Sequence, residues 1–331
     1  MLVAHIGPHK TATTYIQQNF SFNREALNAH GWIYPLECSD GQHAHHHIAH
    51  NADLYLGGPE TRVLAGLGAR ANAEGKHIVL SAEGFCRWTP KGFQDMASIM
   101  GQTQVELVYV VRDPFDVLYS HWGEEVKQGY SKGFSDRFVE NFTDAVRSRL
   151  LNPMRDLAGL LASGFKVHVV PYEILRQDKI DIFQHVCATV LGVADLPVPD
   201  ARPKNTAYPI ELTEFLRLLT SMRSQGVPHI GSQLRHQFID RTTATERTHY
   251  GNLIKRYGKS ARRVIKLEAT DIVKRRLELV VSRGLVGRWT LPVDTRSIHK
   301  LEEQVFEYYD GLGLWQTAEI RTAVEAVNEI L

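Results

Sequence analysis

His5-Ile6-Gly7-Pro8-His9-Lys10-Thr11-Ala12-Thr13-Thr14 is the stretch from which the rest of this chain can be read. It joins an apolar run, Leu2 to Ile6, to a segment with helical spacing that begins near Thr13. A strand that turns directly into a helix leaves the first backbone N–H groups of the helix without partners, at the positive end of its dipole. A lysine and three threonines stand at this junction, so ammonium and hydroxyl donors join those N–H groups in an anion cradle suited to phosphate.

The spacing separates this cradle from the common nucleotide loops. A Walker loop reads G-x-x-x-x-G-K-[ST]. Here Gly7 precedes Lys10 by three positions, and His9 stands where the second glycine would be. No G-x-G-x-x-G dinucleotide fingerprint accompanies it. The run Lys10-Thr11-Ala12-Thr13-Thr14 resembles the 5′-phosphosulfate loop of sulfotransferases that use 3′-phosphoadenosine 5′-phosphosulfate (PAPS). That family usually has Lys, a small residue, Gly and two hydroxyl residues. Ala12 takes the glycine position, and alanine suits a right-handed helix start rather than a positive φ.

A second segment carries the resemblance further. Val105-Glu106-Leu107-Val108-Tyr109-Val110-Val111 reads as a strand from its β-branched content. Arg112-Asp113-Pro114 follows, with Asp113 read as an N-cap and Pro114 as the first residue of a helix. Arg112 is then held at the carboxyl edge of a sheet, where α/β proteins bind ligands, and Ser120 lies two turns into the helix. This pattern is similar to the 3′-phosphate site of the sulfotransferases, in which an Arg and a Ser eight positions apart hold the 3′-phosphate of PAPS. A guanidinium fork suits that dianion. The resemblance covers roughly residues 2–173.

The fold expected is α/β: a three-layer parallel sheet with helices on both faces, in the P-loop-like sulfotransferase architecture that the resemblance implies. The strands read are Leu2–Gly7, His77–Ser81, Val105–Val111 and Lys166–Pro171. One helix is expected from about Thr13 to His30, closed by Gly31. After a proline-rich loop, 197–209, residues 211–331 read as mostly helical with no convincing strand. The chain therefore divides into a PAPS-binding core, 1–200, and a helical extension, 201–331, packed on that core.

Composition sets outer limits. The 331 residues are 43% hydrophobic and 23% charged, and 38 basic against 37 acidic residues leave a net charge of +1. That balance argues against bulk nucleic-acid binding but leaves room for local anion sites. Three scattered cysteines, Cys38, Cys86 and Cys187, do not form a disulfide framework and fit a reducing compartment. No apolar run reaches the ~18–20 residues of a membrane span, and Met1 leads straight into the first strand without a signal peptide. The expectation is a soluble cytoplasmic enzyme, unlike the membrane-anchored Golgi members of the family, with a homodimer as an open possibility.

The resemblance implies in-line transfer of a sulfuryl group from PAPS to a hydroxyl or amine acceptor, carbohydrate being one option, with adenosine 3′,5′-bisphosphate as product and no metal required. Gly7, His9, Lys10, Thr11, Ala12, Thr13 and Thr14 would bind the 5′ end, with Lys10 at the oxygen bridging phosphorus and sulfur. Arg112 and Ser120 would bind the 3′-phosphate, and an unidentified aromatic side chain would stack on adenine. The family uses His or Glu to take the acceptor's proton. Glu83 qualifies if burial raises its pKa, and His45, His46 and His47 qualify by the chemistry of imidazole. The His46/His50 spacing invites a metal reading, but neither an H-E-x-x-H motif nor a Cys pair supports it. Arg202, Lys204 and Asn205 are a further basic group with a loose match to the family's closing loop. The run Lys255-Arg256-Tyr257-Gly258-Lys259-Ser260-Ala261-Arg262-Arg263 reads as a solvated face or as a surface for an anionic acceptor. Two other classes stay open: a P-loop-like small-molecule kinase using ATP and Mg²⁺, and a non-catalytic nucleotide-binding module.

Overall fold

Five short apolar runs form one parallel sheet in the computed structural model of the chain, which describes residues 1–39, 43–199, 208–224, 226–293, 297–300 and 302–331. The strands are β1 (Leu2–His5), β2 (Trp32–Ile33), β3 (His77–Ser81), β4 (Val105–Val111) and β5 (Lys166–Pro171), in the order β2-β3-β1-β4-β5. β1 pairs on one side with β3, Leu2 opposite Ile78, and on the other with β4, Leu2 opposite Val105. Alternation along these strands feeds two cores. Leu2, Ala4, Leu80, Leu107 and Tyr109 pack with helices Thr61–Ala73, Pro90–Ile99 and Met154–Ala162. Val3, Val79, Val108 and Val110 pack with Ile16 and Phe20 of helix Thr13–Phe22 and with Phe183. A parallel sheet covered on both faces reads as near-continuous apolar sequence, as these strands do.

Three local expectations change. The helix expected from Thr13 to His30 is two helices, Thr13–Phe22 and Arg24–Ala29. At the break, Asn23 donates its side-chain amide to the carbonyls of Asn19 and Pro197, at 3.0 and 2.9 Å, offering the chain an alternative to helical continuation. β2 is two residues long, too short for periodicity to reveal, and pairs with His77 and Ile78. The C-terminal part is not without strands. β6 (Arg262–Leu267) and β7 (Gln304–Tyr309) form an antiparallel pair with Arg262 opposite Tyr309. The basic run seen in the sequence is thus partly a strand, and its charges meet acids nearby: Arg262 pairs with Glu307, and Lys266 with Glu303 at 2.7 Å.

The described chain divides into two compact units, and the division is interleaved rather than a single boundary near residue 200. The first unit contains the five-stranded sheet and draws on 1–114, 152–202 and 276–300. Its last stretch covers the open edge of β5, where Val169 donates to Arg288 O and accepts from Thr290 N, both at 2.9 Å. The second unit draws on 115–151, 203–275 and 301–331. There helix Ile210–Ser224 packs on helix Ala244–Tyr257, with Phe215 and Tyr250 stacked at 4.6 Å. All three cysteines are free and buried. Among the described residues, no helix is long and apolar enough to cross a membrane.

The second unit is keyed by a buried ion pair. Glu214 accepts from Arg217 Nε at 2.6 Å and from the Tyr309 backbone N–H at 3.3 Å, while Arg217 donates to Ser131 O at 3.2 Å. Removing one partner leaves an uncompensated buried charge. Glu214→Ala should therefore destabilise this unit by about 3–5 kcal/mol, read as a lower urea midpoint. An unchanged midpoint would show that the pair contributes nothing.

Candidate functional site

The sheet order places the site. From β1 the chain turns toward β3, and from β4 it turns toward β5, so the connections diverge between β1 and β4. At such a switch point the carboxyl edge of a parallel sheet opens into a crevice. The loop after β1 and Arg112 after β4 flank this crevice. Arg112 Nη1 donates to the carbonyl of Lys10 at 2.7 Å. The guanidinium also lies over the Tyr172 ring, 5.2 Å from its centroid, with Nε 3.9 Å from the buried carboxylate of Glu173. Tyr172 and Glu173 follow β5 and open helix Tyr172–Gln177, and nothing local in the sequence marks them as site residues.

The loop itself is tightly constrained. Gly7 has φ +88°, and a Cβ there would lie 3.1 Å from Glu83 Cα, so only glycine lets the two loops touch. The Gly7–Pro8 bond is cis. Thr11 is buried and donates to Pro8 O at 2.6 Å. Contrary to expectation, Ala12 sits at φ 64°, in the left-handed region, as does Lys10 at φ 66°. Ala12 thus adopts the conformation for which the resembled family uses glycine. Helix Thr13–Phe22 starts with no side-chain cap and no acidic residue in its first turn. His9 and Lys10 are partly exposed and Thr14 is exposed at this start. Lys10, Arg112 and the helix start bring positive charge to the crevice, with the Glu173 carboxylate beside Arg112.

Beside the crevice lies a buried polar cluster around Glu83. Thr13 donates its hydroxyl to Glu83 Oε1, Gln17 donates to Oε2 at 3.0 Å, and His46 Nε2 lies 3.3 Å from Oε2. Burial alone would push this carboxyl up. The Thr13 and Gln17 hydrogen bonds and the His46 imidazole outweigh it and hold the group below the ordinary carboxylate range. The condition on which Glu83 qualified as a base, a carboxyl raised by burial, is therefore not met, which weakens it as a base acting by itself. Gln17 lies four residues after Thr13, on the same helix face, and that spacing was the available signal for it.

The structure also sorts the histidines. His45 is fully buried: its backbone N–H donates to Ser81 O, Nδ1 accepts from Ser81 N, and Nε2 donates to Pro35 O, at 2.9, 2.9 and 3.0 Å. With both ring nitrogens bound to backbone, His45 is a structural clasp on the end of β3, not a proton acceptor. His47 is exposed and shares a 2.7 Å hydrogen bond with the Tyr55 hydroxyl, away from Glu83. His46 is the histidine that reaches the carboxylate. Helix His46–His50 seats closely on Gly84, where a Cβ would meet the His50 ring at 2.9 Å. Beneath, His5 Nδ1 shares a 2.7 Å hydrogen bond with Ser81 Oγ, while its buried Nε2 has no hydrogen-bond partner among the described residues. Ser120 is half-buried on helix Pro114–Lys127, within the second unit. Asp113 accepts from the Lys300 backbone N–H at 3.0 Å. Arg202, Lys204 and Asn205 lie outside the described residues.

Two stability tests follow from these positions. A left-handed alanine costs about 1–2 kcal/mol, part of which glycine loses again through unfolded-chain entropy. Ala12→Gly should therefore raise stability by about 0.5–1 kcal/mol in chemical denaturation, and a loss would contradict the conformation described. Burial, partly opposed by Glu83, lowers the His5 pKa from 6.5 to about 4. As pH falls below 6.5 the unfolded chain takes up this proton first. Stability should drop between about 6.5 and 4, by up to about 3 kcal/mol, and the drop should level off below that window. Urea midpoints of the parent and His5→Gln across this window check it, since equal pH dependences would rule out the assignment. Protein-family models, curated proteins and solved structures gave no match to this chain, so its function is read from its own residues.

Proposed function

We propose that this chain is a sulfotransferase that moves a sulfuryl group from PAPS to a hydroxyl or amine acceptor. The observation that supports this most is the hydrogen bond from Arg112 to the carbonyl of Lys10. It brings the two cationic motifs of the sequence to one crevice at one edge of the sheet, so that a single ligand carrying two anionic groups can meet both. In this reading Lys10, the helix start and Thr14 hold the 5′-phosphosulfate, and Arg112 holds the 3′-phosphate. Ser120 enters through the resemblance alone.

The chemistry assigned is an in-line displacement. The acceptor oxygen or nitrogen forms a bond to sulfur as the bond from sulfur to the bridging oxygen breaks. The electron pair stays on the leaving phosphate, next to Lys10, and the acceptor's proton passes to the His46–Glu83 pair. Glu83 orients that imidazole and stabilises the imidazolium that forms. Preorganised donors at the leaving phosphate are the largest catalytic contribution, as in phosphoryl transfer.

Calorimetry with adenosine 3′,5′-bisphosphate and with ATP–Mg²⁺ tests the reading. The bisphosphate should bind, and Arg112→Ala should weaken it by about 10–100-fold. Binding of ATP–Mg²⁺ without the bisphosphate would favour a kinase instead. With PAPS and a panel of hydroxyl acceptors, Lys10→Ala should lower turnover by about 10²–10³-fold in a folded protein. His46→Gln should lower turnover while keeping bisphosphate affinity. A Lys10→Ala variant as active as the parent would overturn the proposal.

A further inference from the structure

Thr13 carries the most informative conflict in the molecule. Its position at the helix start assigns it to the anion cradle, yet its hydroxyl is donated to a buried carboxylate, Glu83. A threonine hydroxyl has one proton to donate. It cannot serve Glu83 and an anion at the helix start together.

We propose that Thr13 is a positioning residue whose hydroxyl switches its hydrogen bond from Glu83 to the anion that fills the cradle, so that loading the donor turns Glu83 onto His46. This rests on the sulfotransferase reading, in which that anion is the 5′ end of PAPS. In the structure Oε1 of Glu83 is held by Thr13, and Oε2 is shared between Gln17 at 3.0 Å and His46 at 3.3 Å. A phosphate arriving at the uncapped helix start finds backbone N–H groups and the helix dipole already in place. With its charge-assisted acceptors beside the Thr13 hydroxyl, it competes for that proton on favourable terms. Once the hydroxyl has turned to the anion, Gln17 still fixes Oε2. The carboxylate's charge, no longer balanced by Thr13, then acts on the His46 ring and strengthens it as a proton acceptor. The base is thereby engaged only when a donor is present, which imposes donor-first order.

Facing Glu83 are His5 from β1, Tyr34 after β2, Thr13 and Gln17 from helix Thr13–Phe22, and His46, on which the His50 ring stacks at 5.6 Å. His5 titrates at about 4, and burial and Glu83 raise the Tyr34 phenol, so both are neutral near pH 7.

Carboxyl-carbon NMR titration of Glu83 in the full chain tests the exchange, in the parent, Thr13→Ser and Thr13→Val, with and without adenosine 3′,5′-bisphosphate. Without ligand, Thr13→Val should raise the Glu83 midpoint by about one pH unit, the worth of one hydrogen bond to a charged group. Thr13→Ser should titrate like the parent. The bisphosphate should raise the midpoint in the parent and in Thr13→Ser, and by less in Thr13→Val, where only the direct charge effect remains. Equal ligand-induced shifts in the parent and Thr13→Val would overturn the exchange, as would an unshifted midpoint in ligand-free Thr13→Val. A parent that binds no bisphosphate by calorimetry would instead remove the sulfotransferase reading, and the exchange with it.

Discussion

β1 is hydrogen-bonded on both sides, and everything at the site depends on that placement. Its register brings His5 level with Ser81 of β3 and Val108 of β4. The loops after β1 and β3 therefore leave the sheet at the same height and touch at Gly7 and Glu83. β4 runs on past this level to Val111, which lets Arg112 reach back over the opening loop to the Lys10 carbonyl. The extension is itself anchored, because Val110 donates to Gly7 O at 3.1 Å. A strand on an edge could not have organised both sides in this way.

Two polar environments of opposite character lie next to each other as a result. The crevice side carries Lys10, Arg112 and an uncapped helix start, the combination that attracts anions. The Glu83 side buries a carboxylate, which is tolerable only because each oxygen has a donor. Thr13 belongs to both: it starts the helix of the first and donates to the carboxylate of the second. The left-handed Ala12 immediately before it is the backbone conformation that joins the two. Strain of this kind is held in place where the surrounding structure over-determines it, here by the Thr11 bond to Pro8 and the Arg112 bond to Lys10.

Much of the fold could be read from local sequence. Val105–Val111 and Lys166–Pro171 form strands over the bounds read for them, and the helix after Arg112 begins at Pro114. These features announce themselves because apolar runs, β-branching and proline act over a few residues. The breaks were harder to see. Asn23 ends a helix through a bond to Pro197, and the charged run from Arg262 becomes a strand only because Gln304–Tyr309 returns to pair with it. Both depend on partners far away in the chain.

The same distinction governs the site. Sequence alone determined that a cationic loop and a cationic strand end occur in an α/β chain, and which residue types stand in them, because those signals are local. Tertiary structure decided their roles. It made His45 a clasp on Ser81, left His47 with Tyr55, brought His46 to Glu83 and lowered the carboxyl that burial alone would have raised. A side chain's chemistry is set by what faces it across a few ångströms, and those neighbours come from segments that only folding brings together.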